Sequence, residues 1–297
     1  MSKGRILVTG ASGFLGWNLL RAPWEDWEWI GCSNRYDPEL PGLRLIQTDL
    51  TVPGAVVELL DAAKPDLVLH TAALTDLNAC EADPAGTQQI NTDVPATLAR
   101  RCAERGLRFV FTSSDMVFDG IRPPYDEDSP PCPINAYGRQ KAEAEAQVLA
   151  AHPGAAICRM PLMFGAAGPH AHNFLPEWIA KLAAGEPVAL FTDEFRAPVS
   201  ATVAREGLRI AIECHVSGVL HLGGKERLAR YAFGALLCQV WGFDPGLLQP
   251  VTRSALNFTA ARPADTFLDC RRAWALGYDA PPLEEQLRTL KAEGRIS

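Results

Sequence analysis

Apolar and polar positions along this chain follow two alternating periods. Short apolar runs recur as RILVTG (5–10), WEWIGCS (27–33), RLIQTD (44–49), DLVLHTAA (66–73), RFVFTSS (108–114), AAICRMPLMFG (155–165) and GVLHLGG (218–224). Each is strand-length and apolar at consecutive positions, so burial on both faces is expected. Between them lie helical stretches: FLGWNLLR (14–21), VPGAVVELLDAAK (52–64), QINTDVPATLARRC (89–102) and INAYGRQKAEAE (134–145). In the second of these, Val56, Leu59, Leu60 and Ala63 share one face, with Thr51 ahead and Pro53 near the start. Apolar strands separated by helices predict an α/β fold, a Rossmann-type doubly wound parallel sheet with right-handed crossovers. Beyond about residue 165 the alternation weakens. Gly- and Pro-rich segments such as GAAGPHAHNF and ALNFTAARPADTF predict a smaller, irregular α/β lobe for substrate. The expected division is 1–164 plus about 197–224 for the dinucleotide-binding domain, and about 165–196 plus 225–297 for the substrate lobe.

Composition narrows the class. The 297 residues are 47% hydrophobic and 21% charged, as in an ordinary globular protein. A formal net charge of −7 without a Lys/Arg block argues against nucleic acid and anionic membrane as partners. No apolar run approaches the ~18 residues of a membrane span. The N-terminus enters a strand-like run without signal-peptide features. Eight cysteines form no C-x-x-C pair and no Cys/His cluster of zinc-ligand spacing. They are expected as buried free thiols in a reducing compartment, with cytoplasm the default and no metal. Helices of such a fold leave a homodimer open.

The first candidate chemistry is VTGASGFLG (8–16), between the first strand and first helix. Gly10 permits the tight turn, Gly13 lets backbone approach a pyrophosphate, and Gly16 lets helix pack on strand. With Ser12, Phe14 and Leu15 they present the free N–H groups of a helix start to phosphate. At the tip of the second strand stand Ser33, Asn34 and Arg35. A carboxylate there would favour NAD(H). A guanidinium suits a 2′-phosphate, so NADP(H) is favoured over NAD(H), although Asp37 keeps NAD in play. Asp49 and Leu50 close the third strand, where Asp49 could reach the adenine or equally cap the next helix.

Tyr137 and Lys141 lie four apart, which puts both on one face of a helix. Reducing a ketone needs a hydride at carbon and a proton at oxygen. A phenol can donate that proton if a nearby ammonium lowers its ordinary value of about 10. Lys141 could also hold the nicotinamide ribose. Ser114 can donate to a carbonyl oxygen as charge develops there.

In order along the chain, the glycine motif, HTAA (70–73), CEADP (80–84), NTDVPATLA (91–99), TSSDMVFDG (112–120), AYGRQK (136–141), DEFRAPV (193–199) and RPADTFLDCRRAWALGY (262–278) resemble the extended short-chain dehydrogenases/reductases. Within that family the chain is most similar to the dTDP-4-dehydrorhamnose reductases. The resemblance implies an NADP(H)-dependent reductase acting on the 4-keto group of a nucleotide-linked deoxysugar. It gives Ser114, Tyr137 and Lys141 the catalytic roles, and Thr71, Ala72, Ala73 and Asn91 places beside the cofactor. Thr75, Met116, Leu162, Asn173, Arg196 and Arg262 would face the substrate, the two arginines as a diphosphate clamp or as an inter-lobe salt bridge. Two positions depart from the pattern. Met116 stands where the family usually has Tyr, and Leu162 where it has Trp, which removes stacking area and donors from a polar pocket. His170 and His172 are expected as loop residues rather than metal ligands. Trp24, Trp27 and Trp29 are expected to pack at the turn between first helix and second strand.

Two other readings compete. A nucleotide-sugar epimerase or dehydratase is disfavoured by Arg35 and by an incomplete acidic pair, since Met116 follows Asp115. A non-catalytic NADP-binding subunit, similar to the regulatory β subunit of methionine adenosyltransferase, is disfavoured by the intact Ser114–Tyr137–Lys141 set.

Overall fold

The structure, a computed structural model, describes residues 3–294. Seven strands form one sheet, in the spatial order Gly218–His221, Ala156–Met160, Arg108–Ser114, Leu67–His70, Arg5–Thr9, Glu28–Ser33, Arg44–Gln47. Every pairing in it is parallel. The chain starts at mid-sheet, runs outward to one edge through its first three strands, then returns and builds outward on the other side. The switch therefore falls between Arg5–Thr9 and Leu67–His70, and in open α/β sheets the crevice beyond the strand ends there takes the ligand.

Consecutive strand residues feed opposite layers, which is why the strands read as unbroken apolar runs. Ile6 and Val8, Leu67 and Leu69, and Ala156 and Cys158 join one core together with Leu19, Ala204 and Leu208. Leu7, Val68, Phe109, Phe111 and Ile157 join the opposite core, with Leu59, Leu98 and Val148 from the helices covering that face. Trp24 and Trp29 meet at 5.0 Å in the first core, and Trp27 packs against it.

A third core builds the smaller lobe. Leu175, Trp178 and Ile179 of the Phe174–Ala183 helix pack on Phe233 and Leu237 of the Arg230–Trp241 helix, with Leu287 and Leu290 from the Leu283–Ala292 helix. The expected segment 225–297 is shared between cores. Ala273, Tyr278 and Ala280 pack on the sheet, and Leu268 and Cys270 join Val117, Phe118 and Tyr125. A segment with few apolar positions per turn carries no periodic sign of which core it joins.

Six cysteines are buried, but Cys132 and Cys214 are exposed, contrary to expectation. Cys132 lies in a loop, and Cys214 follows the last turn of the Ala201–Glu213 helix, where the chain turns to solvent. No helix among the described residues is long and apolar enough to cross a membrane.

Candidate active site

The carboxyl ends of four strands open into one cavity of about 520 Å³. The glycine turn follows Arg5–Thr9, Thr71 follows Leu67–His70, Ser114 ends Arg108–Ser114, and Leu162 follows Ala156–Met160. The smaller lobe supplies the opposite wall through Phe191, Glu194, Arg196, Arg230 and Arg262.

The glycine turn is built as the sequence demands. Gly10 has φ +75°, and a side chain there would come within 2.8 Å of the Ala72 backbone. A Cβ on Gly16 would overlap the Gly10 carbonyl oxygen. Gly13 precedes the Phe14–Leu20 helix without capping it, so no side chain satisfies the first-turn N–H groups. These features fit a dinucleotide pyrophosphate. Gly13, Phe14, Leu15, Gly16, Thr71 and Ala73 line the cavity, whereas Gly10, Ser12 and Ala72 do not.

The remaining cofactor candidates fall outside that lining. Asn34 and Arg35 are exposed at the tip of the second strand. Asp49 caps its own turn, accepting from the Thr51 N–H at 2.9 Å and the Thr51 hydroxyl at 2.6 Å. Those bonds, with Asn34 and Arg35 nearby, hold its carboxyl below the usual range. Leu50 lines a separate hollow of about 220 Å³ with Gln89 and Arg101. Asn91 is buried in the π-helical turn Gln89–Asp93, where its side chain bonds both backbone groups of Leu74 and the Gln140 side chain. Its side-chain groups are thus engaged in bracing Leu74 and the Gln140 side chain.

The Ala136–Ala151 helix is anchored at its start from three directions. Asn135 accepts from the Gly138 N–H at 2.8 Å, Glu81 accepts from the Ala136 N–H at 2.8 Å, and Asn135 donates to the Ala261 carbonyl. A side chain on Gly138 would overlap the Met116 carbonyl oxygen. That close approach brings Tyr137 beside Ser114. Glu81, Asn135 and Gly138 had been assigned no role from the sequence.

Ser114, Tyr137 and Lys141 all reach the cavity wall. The Ser114 hydroxyl accepts from the Met116 N–H at 3.2 Å and donates to Asp115 Oδ1 at 3.3 Å. It thus serves as turn cap as well as catalytic candidate. Burial pushes the Tyr137 phenol above its ordinary value, while the neighbouring Ser114 hydroxyl pulls it back. The expected lowering by Lys141 is not what this geometry produces. The Lys141 ammonium donates to the Thr112 carbonyl at 2.7 Å and sits 4.0 Å over the Phe111 ring. Burial pushes it down to about 7, with Glu145 opposing. Removal from water disfavours the charged form of both groups, phenolate and ammonium alike.

Thr75, Met116, Leu162, Arg196 and Arg262 line the cavity, but Asn173 does not. Asn173 caps the Phe174–Ala183 helix through the Leu175 N–H and donates to the Met163 carbonyl. Arg196 is buried and bonded to the Phe195 and Pro263 carbonyls, with Glu194 at 3.5 Å and Asp115 at 3.8 Å. Asp115 also accepts from the Thr266 hydroxyl, and burial pushes its carboxyl up. Arg262 stacks on Phe258 at 4.2 Å.

Arg230 and Glu194 belong to the site and were not foreseen. Arg230 lies over Phe174 at 4.3 Å and Trp178 at 4.8 Å, and burial lowers it to about 10. Its sequence context, RLARYAFG, carries no motif that points to a ligand. His170 lines the cavity and stacks on Tyr36 at 4.5 Å. Among the described residues no group of three or more His, Cys, Asp or Glu is gathered for a metal ion.

Comparison with known proteins agrees with this geometry. Residues 4–295 match the family model described as RmlD substrate binding domain. The chain is 36% identical over 290 residues to the Haloferax volcanii protein named "Probable low-salt glycan biosynthesis reductase Agl14", covering 96% of each. It is 29% identical over 281 residues to methionine adenosyltransferase 2 subunit beta of Pongo abelii, covering 92% of this chain and 82% of that one. A Bacillus anthracis dTDP-4-dehydrorhamnose reductase solved in complex with NADP superposes with a TM-score of 0.86 at 24% identity, over 99% of this chain and 100% of that one. With strands, glycine turn and the Ser114–Tyr137–Lys141 wall in that arrangement, the chain belongs to the RmlD family of extended short-chain dehydrogenases/reductases, the family of dTDP-4-dehydrorhamnose reductases, and is an NAD(P)-dependent oxidoreductase.

Proposed function

We propose that this protein is an NADP(H)-dependent reductase of the 4-keto group of a nucleotide-linked deoxysugar, with Tyr137 as proton donor. The observation that carries the reading is the convergence of Ser114, Tyr137 and Lys141 on the wall of the cavity that the glycine turn also lines. Bound along that turn, the cofactor supplies the hydride, and the proton steps fall to this chain. The Ser114 hydroxyl is free to turn from Asp115 toward a carbonyl oxygen. Tyr137, held protonated by burial, donates to that oxygen as charge develops. Arg35 at the second strand tip favours NADP(H) through its match to a 2′-phosphate, and the NADP bound to the Bacillus anthracis reductase is consistent with it. Arg230 and Arg262, on the far wall, suit the diphosphate of a nucleotide-sugar.

A second reading is a non-catalytic NADP-binding subunit, favoured by the 29% identity to methionine adenosyltransferase 2 subunit beta. One assay separates the two: NADPH and NADH oxidation with dTDP-, UDP-, GDP- and CDP-linked 4-keto-6-deoxysugars. The reductase reading expects turnover of at least one sugar, faster with NADPH, and loss of at least about 100-fold in Tyr137→Phe with NADP(H) affinity within threefold. Tight NADPH binding without turnover of any sugar would leave the subunit reading.

A further inference from the structure

Glu194 is the one carboxylate on the smaller-lobe wall of the cavity, and it is 5% exposed. Its Oε2 has no hydrogen-bond partner, and its Oε1 lies 3.5 Å from Arg196 Nη2. A buried carboxylate oxygen left unbonded is costly, and because the Glu194 side chain lines the cavity, a ligand donor that it turns to meet is the natural partner. Its place in the wall says which part of a ligand that is. On one side Arg196 links it to Asp115, and Asp115 to Ser114. On the other, the Arg230 main-chain N–H donates to the Glu194 carbonyl oxygen, and the Arg230 guanidinium stacks on Phe174 and Trp178.

We infer that Glu194 is a specificity residue that accepts a hydrogen bond from a hydroxyl on the sugar ring of the substrate. The inference rests on the nucleotide-sugar reading above. A molecule with its carbonyl at Ser114 and Tyr137 and its diphosphate at Arg230 and Arg262 lays the ring between them across Glu194. The partner is a neutral hydroxyl rather than an ammonium, because Arg196, Arg230 and Arg262 surround the position with positive charge. A site built to bond a hydroxyl discriminates strongly against the analogue lacking it, since the carboxylate is then left unpaired.

The test pairs a dTDP-4-keto-6-deoxyhexose with its 2-deoxy and 3-deoxy analogues, using wild type, Glu194→Gln and Glu194→Leu. The expected wild-type preference in kcat/KM for the hydroxylated sugar over one of the analogues is at least 100-fold. Glu194→Gln, which keeps an acceptor, retains part of that preference. In Glu194→Leu the preference collapses below about fivefold. An unchanged preference in Glu194→Leu, or none in wild type, overturns the assignment. Calorimetry with dTDP-rhamnose against dTDP alone, in the presence of NADP, separates this from failure of the reductase reading. A sugar increment in affinity that Glu194→Leu abolishes supports the role of Glu194 even where no ketosugar is turned over. An increment that survives Glu194→Leu overturns it. dTDP affinity and melting temperature of each variant identify any that fails to fold.

Discussion

Lys141 shows how much a single position depends on its surroundings. On a solvated helix it would hold its proton to about pH 10.4. Buried against Phe111 and bonded to the Thr112 carbonyl, it loses that proton near 7. Tyr137 shifts the opposite way and stays protonated through the same range. The charge lost as pH rises through about 7 is therefore the ammonium, not the phenol proton. Since kcat/KM for the cofactor reports the free enzyme, kcat/KM for NADPH is expected to fall above about pH 7, approaching tenfold per pH unit. A profile flat to pH 9 would show that the ammonium is not required. Tyr137 and Lys141 were legible from spacing and motif. Their protonation was not, because desolvation comes from neighbours distant in sequence.

At the scale of elements, the Ala136–Ala151 helix is clamped to the sheet by a buried ion pair one turn beyond Lys141. Arg159, on the Ala156–Met160 strand, bonds both oxygens of Glu145 with its Nε and Nη2 and stacks over Phe118 at 5.0 Å. Its Nη1 faces His221 Nε2 at 3.2 Å, and burial lowers that imidazole to about 3, so the pair meets a neutral ring. Removing one partner leaves a buried charge alone. Arg159→Leu is expected to lose about 3–5 kcal/mol in denaturant unfolding, and Arg159→Leu/Glu145→Leu to recover most of it. A single variant within 1 kcal/mol of wild type would show that the clamp adds little. The strands and long helices were readable because their periodicity is local. The clamp was not, since Glu145 looks like any solvent-facing residue of AEAEAQ.

At the scale of the whole molecule, the cavity exists because two cores meet. The sheet brings the glycine turn, Ser114 and the Tyr137 helix, and the smaller lobe closes the space with Glu194, Arg196, Arg230 and Arg262. The arginines divide by partner. Arg196 is engaged by carbonyls and carboxylates, while Arg230 and Arg262 present guanidiniums held chiefly by aromatic faces. On the proposed nucleotide-sugar reading, the pair suited to a diphosphate is Arg230 with Arg262 rather than Arg196 with Arg262. Arg230→Met and Arg262→Met are each expected to weaken dTDP binding about 10- to 100-fold by calorimetry, with NADP(H) affinity unchanged. Unaltered dTDP affinity in both would remove the clamp.

Sequence alone determined the parallel sheet and the glycine turn, and it singled out Ser114, Tyr137 and Lys141, which the fold gathers on one cavity wall. Each is written within a strand, a turn or one helical step, where neighbours along the chain are neighbours in space. Tertiary structure decided what those groups can do. It gave Asn91, Asp49 and Asn173 capping and bracing bonds to nearby backbone. It brought Arg230 to the wall from a segment with no motif, and Glu194 from a motif in which only Arg196 had been singled out, because a wall assembled across two lobes has no linear period to read.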